Sequence, residues 1–155
     1  MAPPVSVLGV GIDLVDLDRI ERMLSNKGEH AMARLFTPEE RAYLDTRPDP
    51  TGNAAARIAA KEAVYKAMQS LPGARAIGWR DIEVTRDAEG RPAIRLHGLA
   101  ERLAEEVGGV TIQVSLTHSA TAAGAVAVVS GGRGDRGTAG RRDRGTAGPG
   151  DSGTA

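Results

Sequence analysis

The 155-residue sequence contains no cysteine, one tryptophan, one phenylalanine and two tyrosines. Without cysteine there is no disulfide framework and no thiolate zinc site, and the three histidines are widely spaced, so any metal is expected to be held by oxygen. Net charge is missing too, because 20 basic residues balance 20 acidic ones. A chain without a strong field of one sign is a poor general binder of polyanions, which sets nucleic acid aside as a partner. No apolar run approaches the ~18 residues of a membrane span. Met1-Ala2-Pro3-Pro4 has neither the charged nor the apolar region of a secretory signal. The expected location is the cytoplasm, with no membrane involved.

Residues 131–155 lack Val, Ile, Leu, Met and every aromatic, and contain nine Gly, five Arg and three Asp. A segment with nothing to bury builds no core. Its short imperfect repeat, Gly134 to Gly140 and then Arg142 to Gly148, is too small and too polar for a solenoid. The expected organisation is one folded domain over residues 1–130 and a disordered Gly/Arg/Asp-rich tail over 131–155. Five Arg against three Asp in the tail leave the body at a net charge of −2.

Within the body, residues 5–13 are β-branched and interrupted by Gly9 and Gly11, which reads as a buried strand ending in Asp13. Leu17, Ile20 and Leu24 recur at helical spacing until Asn26-Lys27-Gly28 supplies a stop. Thr37-Pro38-Glu39-Glu40 has a capping hydroxyl, a proline for the first helical position and a Glu three residues after the Thr, so a helix is expected from Pro38. Pro48, Pro50 and Gly52 make residues 45–52 a loop, with Asn53 capping an Ala-rich helix over 54–71 that Pro72-Gly73 ends. Residues 81–86 and 92–97 flank a Gly-containing turn and read as a hairpin. A helix over 99–107 follows, then strands over 111–118 and 122–129. Helices and hairpins without regular βα units favour an α+β fold.

Three places carry candidate chemistry. Asp13 stands where a Gly-rich strand ends, which suits a Mg²⁺ ligand; the alternative, and the commoner use of such acids, is that Asp13 or Asp16 caps the helix that follows. Glu62 and Lys66 are four apart on the Ala-rich helix and share a face, while Lys61 points about a quarter-turn away; the pattern is that of a site or of an exposed surface pair. His118 ends an alternating strand with no nucleophile elbow to serve, and reads as a catalyst or as a structural hydrogen-bonder. No P-loop and no dinucleotide fingerprint is present.

Taken in order, these segments resemble one family. Gly11-Ile12-Asp13, Arg19-Ile20-Glu21, Phe36-Thr37-Pro38-Glu39-Glu40, Ala59-Ala60-Lys61-Glu62-Ala63 and Val114-Ser115-Leu116-Thr117-His118-Ser119 are similar to the holo-acyl-carrier-protein synthases, the small bacterial class of 4′-phosphopantetheinyl transferases. The resemblance runs over residues 7–129, and Gly90-Arg91-Pro92 falls where the family has its glycine turn. Ile58 departs from it, standing where an aromatic is usual.

The resemblance implies an antiparallel sheet packed against a long helix, and transfer of the 4′-phosphopantetheine of coenzyme A to a serine of apo-acyl carrier protein with release of adenosine 3′,5′-bisphosphate. It implies Asp13 and Glu62 as Mg²⁺ ligands, and Asp13, Glu62, Lys66 and His118 as the catalytic set. Arg57, Lys66 and His118 would bind coenzyme A, and Arg19 and Arg22 on the first helix would dock the acidic carrier protein. Without the family, those two arginines read as a solvated helix face. The serine proton would pass to a carboxylate, Asp13 or Glu62, or to a metal-bound water, with His118 in support. A homotrimer with sites between subunits is also implied, His118 coming from the same chain or a neighbour. Two rivals share these residues: a Mg²⁺-dependent phosphohydrolase, and a non-catalytic module binding carrier protein or nucleotide.

Overall fold

The computed structural model describes residues 4–131. Of the expected tail over 131–155, residues 132–155 lie outside the described residues, and Gly131 belongs to the last strand of the fold. Strand β1 (Ser6–Asp16) opens the fold, and β4 (Val110–His118) and β5 (Ala122–Gly131) close it. They form an antiparallel sheet in the order β1-β5-β4, so the last strand is the central one. One face of β5 presents Ala123, Ala125, Ala127 and Val129, all buried. Helix α3 (Pro50–Ala67) lies across that face and answers with Ala59, Ala60, Ala63 and Ala67, also buried.

Small residues on both sides bring helix and sheet close together. The approach is closest at β1, where a Cβ on Gly9 or Gly11 would run into the carbonyl oxygens of Ala67 and Ala63. The alternate glycines of β1 are therefore set by the backbone of α3. The α+β expectation of an antiparallel sheet on a long helix is what the structure has.

The remaining elements are α1 (Leu17–Leu35), α2 (Pro38–Asp45), a two-stranded antiparallel sheet of β2 (Ile82–Arg86) and β3 (Pro92–Leu96), and α4 (Gly98–Glu106). At α2 the Thr37 hydroxyl accepts from Glu40 N at 3.2 Å and the Glu40 carboxylate accepts from Thr37 N at 3.0 Å, so the expected capping box is formed.

Several boundaries differ from expectation. Gly28 does break α1, with φ 33° and ψ −111°, but the helix resumes beyond it because Ala31 and Leu35 are buried. The helix α3 starts at Pro50 and not Ala54. Asp49 Oδ1 accepts from Gly52 N at 2.9 Å and caps it, while Asn53 donates its amide to Asp49 O at 2.7 Å. Pro50 therefore occupies a first-turn position, where its missing N–H costs nothing. At the other end α3 stops at Ala67, and residues 68–70 tighten into a 3₁₀ turn. The final strand runs two residues past the expected end at 129, to Gly131.

Candidate active site

The crossing of β1 and α3 assembles the first group of side chains. Asp13 faces Ala125 of β5 across the ladder. Lys66, in the last turn of α3, donates to Asp13 Oδ1 at 2.9 Å and to Ile12 O at 2.9 Å. Glu62, one helical turn earlier, is half-buried. Burial, and then the negative charge of Asp13, push its carboxyl above the usual range, with Lys66 acting against both. One reading is narrowed and another corrected here. Of the two acids read as caps for α1, Asp16 and not Asp13 holds the N-cap position, because β1 continues to it, and its side chain makes no capping hydrogen bond. Lys66 makes its ion pair with Asp13 across 53 residues and not with Glu62 along the helix.

A cleft of ≈ 220 Å³ opens over this group, lined by Asp13, Arg19, Ile20, Leu35, Glu62 and Trp79 among others. Arg19 thus stands at the site itself, while Arg22 is exposed one turn on along α1. A second cleft of ≈ 270 Å³ lies beside the first, with Lys61, Glu62, Tyr65, Ile77, Trp79 and Ile82 in its walls. Glu62 and Trp79 belong to both clefts and form the partition between them.

His118 is elsewhere. It ends β4 opposite Ala123, with the central strand β5 between it and Asp13. It lines a hollow of ≈ 430 Å³ together with Arg57, Arg86, Asn53 and Thr117. Arg57 is buried there and its Nε has no hydrogen-bond partner. Its guanidinium lies 3.9 Å from the centre of the Tyr43 ring, which Arg47 and Arg86 also approach, at 4.5 and 5.4 Å. Three cations on one ring make a preformed basic surface suited to an anion. Within the chain, then, the expected set divides: Asp13, Glu62 and Lys66 converge, and Arg57 and His118 form a separate hollow. Sequence reading missed Trp79, Tyr43 and Arg86. No motif marks them, because each comes from a segment that meets the site only after folding.

The sheet face turned away from α3 is apolar and open. Val10, Ile12 and Leu14 of β1 are 61, 71 and 73% exposed, and Val126, the ladder neighbour of Ile12, is 37% exposed.

Among the described residues no cluster of three or more His, Cys, Asp or Glu side chains is poised to hold a metal. Mg²⁺ does not require one, since it takes one or two carboxylates and completes its shell with water and substrate phosphate. Asp13 and Glu62 fit that donor set. Both offer carboxylate oxygens, near enough for the charge of Asp13 to disfavour ionisation of Glu62, and Lys66 engages one Asp13 oxygen.

Comparison with known proteins bears on the chain as a whole and on its fold. The family model described as the 4′-phosphopantetheinyl transferase superfamily matches residues 9–124. A holo-[acyl-carrier-protein] synthase of Moorella thermoacetica is 43% identical over 131 residues, covering 84% of this chain and 100% of its own. The crystal structure of holo-[acyl-carrier-protein] synthase from Neisseria meningitidis superposes with a TM-score of 0.72 at 31% identity, covering 79% of this chain and 98% of its own. The ACPS-CoA complex of Chronobacterium ammoniagenes gives a TM-score of 0.69 at 32% identity, covering 84% of this chain and all of that one.

Proposed function

Because the chain belongs to the 4′-phosphopantetheinyl transferase superfamily, we propose that Asp13, Glu62 and Lys66 form the centre at which it transfers phosphopantetheine. Its activity is that of a holo-[acyl-carrier-protein] synthase, moving the 4′-phosphopantetheine of coenzyme A onto apo-acyl carrier protein. The observation that carries the assignment is the convergence of these three side chains where β1 crosses α3.

Asp13 and Glu62 would hold Mg²⁺. Bound there, Mg²⁺ would neutralise charge building on the leaving adenosine 3′,5′-bisphosphate. Lys66 is a compact cation one turn beyond Glu62 and binds the same phosphates, its other contacts aiming it along β1. Trp79 and Ile20 wall the cleft and limit water around the transferring group. Arg19 on the rim and Arg22 further along α1 would receive the acidic carrier protein, so its serine enters beside Glu62.

The basic hollow of Arg57, Arg86 and His118 has the chemistry for the remaining coenzyme A phosphates, but β5 separates it from Asp13 in the same protomer. The open apolar face around Ile12 and Leu14 supplies a reason for self-association. We therefore assign a homotrimer in which the hollow of one protomer completes the centre of its neighbour. Among the described residues no helix is long and apolar enough to cross a membrane, and the cytoplasm, where coenzyme A is met, is the proposed location. The activity is assigned to the described body, so removal of residues 132–155 should leave transfer intact.

The test is the intact mass of an apo-acyl carrier protein after incubation with the protein and coenzyme A, with Mg²⁺ or with chelator. A Mg²⁺-dependent gain of about 340 Da, one phosphopantetheine, is expected. Consumption of coenzyme A without that gain would instead make the centre a phosphohydrolase.

A further inference from the structure

Lys61 is the neighbour of Glu62 that helical geometry turns inward, and its side chain is only 1% exposed. Its Nζ lies 2.6 Å from Glu40 Oε2 and donates to Leu35 O at 2.8 Å and to Trp79 O at 2.9 Å. An ammonium has three donors, and all three are engaged. Glu40 is equally occupied, accepting from Thr37 N at 3.0 Å and from Val84 N at 2.9 Å. The end of α1, the start of α2, the middle of α3, the turn at Trp79 and strand β2 therefore meet at one buried ion pair.

Two of the groups gripped by Lys61 are the main chains of Leu35 and Trp79, whose side chains wall the cleft of Asp13 and Glu62. Stability gives no reason to keep a charge here. A buried ion pair is often no better than well-packed apolar residues of the same volume, because desolvation offsets the attraction. An apolar side chain, however, has no means of holding two carbonyls from different segments at a set distance. Catalysis by Lys61 itself is disfavoured, since its protons are all donated to fixed acceptors away from solvent.

We infer that Lys61 is a positioning residue: by holding the carbonyls of Leu35 and Trp79 it sets the wall of the cleft against which Glu62 works. This rests on the reading of Asp13 and Glu62 as the transfer centre. The test uses two variants, Lys61→Met and the double variant Lys61→Met with Glu40→Gln, the second removing the stranded carboxylate in case the first does not fold. Trp79 is the only tryptophan in the chain, so fluorescence reports the wall directly.

The expected result for the folded double variant is a red-shifted Trp79 emission with easier acrylamide quenching. Alongside it, kcat for carrier-protein modification should fall about tenfold or more while KM for coenzyme A changes less than about twofold, as misplacement near reacting groups predicts. Wild-type emission with wild-type kcat would overturn the inference. So would a fall in kcat with unchanged emission, since the lysine would then act on the chemistry and not on the wall. If the wild-type protein showed no transfer at all, the reading of the centre would fail. The emission arm would still report whether Lys61 holds Trp79.

Discussion

At the scale of single residues, Glu62 and Lys66 separate function from stability. The Asp13–Lys66 pair is partly exposed, 48% at the lysine, and such pairs contribute at most about 1 kcal/mol. Lys66→Met should therefore lower the melting temperature by no more than about 4 °C, while transfer falls by about 10²-fold through loss of phosphate binding. Calorimetry and the mass assay on the same preparation check both. Glu62→Gln should cost at least about 10²-fold in transfer at ordinary Mg²⁺; normal turnover would remove it from the metal site. In metal-free protein the carboxyl of Glu62 lies above its unfolded value, raised by burial and then by Asp13. The folded state then binds that proton more tightly than the unfolded chain, so stability falls as pH rises from the unfolded to the folded value. Urea unfolding in chelator from about pH 4 upward should show this slope, and Glu62→Gln should flatten it. The candidacy of Glu62 and Lys66 was legible from their spacing of four. That Lys66 serves Asp13 was not, because the partner lies 53 residues away.

At the scale of elements, what was legible is what short-range chemistry determines. The capping box of Thr37 and Glu40 and the hairpin turn at Gly90 act within a few residues of themselves, and both form as read. The second half of α1 was not legible, since Gly28 breaks the helix and only the burial of Ala31 and Leu35 restores it. The start of α3 was misplaced because Pro50 and Gly52 carry turn chemistry, which the Asp49 cap overrules. The glycines of β1 make the sharpest prediction at this scale. Gly11→Ala places a methyl against the Ala63 carbonyl, and neither backbone can retreat without parting helix from sheet. A loss of about 3 kcal/mol, at the upper end for overpacking, is expected in the denaturation midpoint. A change within ±0.5 kcal/mol, the range of an ordinary surface substitution, would show that α3 and β1 are less closely packed than they stand.

At the scale of the whole molecule, the separation of Asp13 from His118 has a consequence for assembly. In a trimer with shared sites, Glu62→Gln and His118→Ala damage opposite halves of a site. Mixing the two variants under conditions of subunit exchange should then restore part of the activity that each lacks alone. No recovery in a verified mixed trimer would place both residues in sites built from one chain. Ile12→Glu should abolish the proposed trimer in sedimentation and activity with it, because it puts a charge on the open face while leaving the core of the chain untouched. Charge reversal at Arg19 should raise KM for carrier protein and leave that for coenzyme A nearly unchanged.

By itself the sequence determined most of the local elements, the α+β class and, through the family resemblance, the candidacy of Asp13, Glu62 and Lys66 for the proposed centre. Capping, turn formation and helical periodicity act over a few residues, and ordered motifs mark a family without any knowledge of contacts. Only the tertiary structure decided that Lys66 pairs with Asp13, that Lys61 turns inward to grip Leu35 and Trp79, and that His118 and Arg57 stand apart from Asp13 and Glu62. Those outcomes depend on which strand takes the centre of the sheet and how closely α3 lies on it, and both follow from long-range packing of small residues that look alike in the chain.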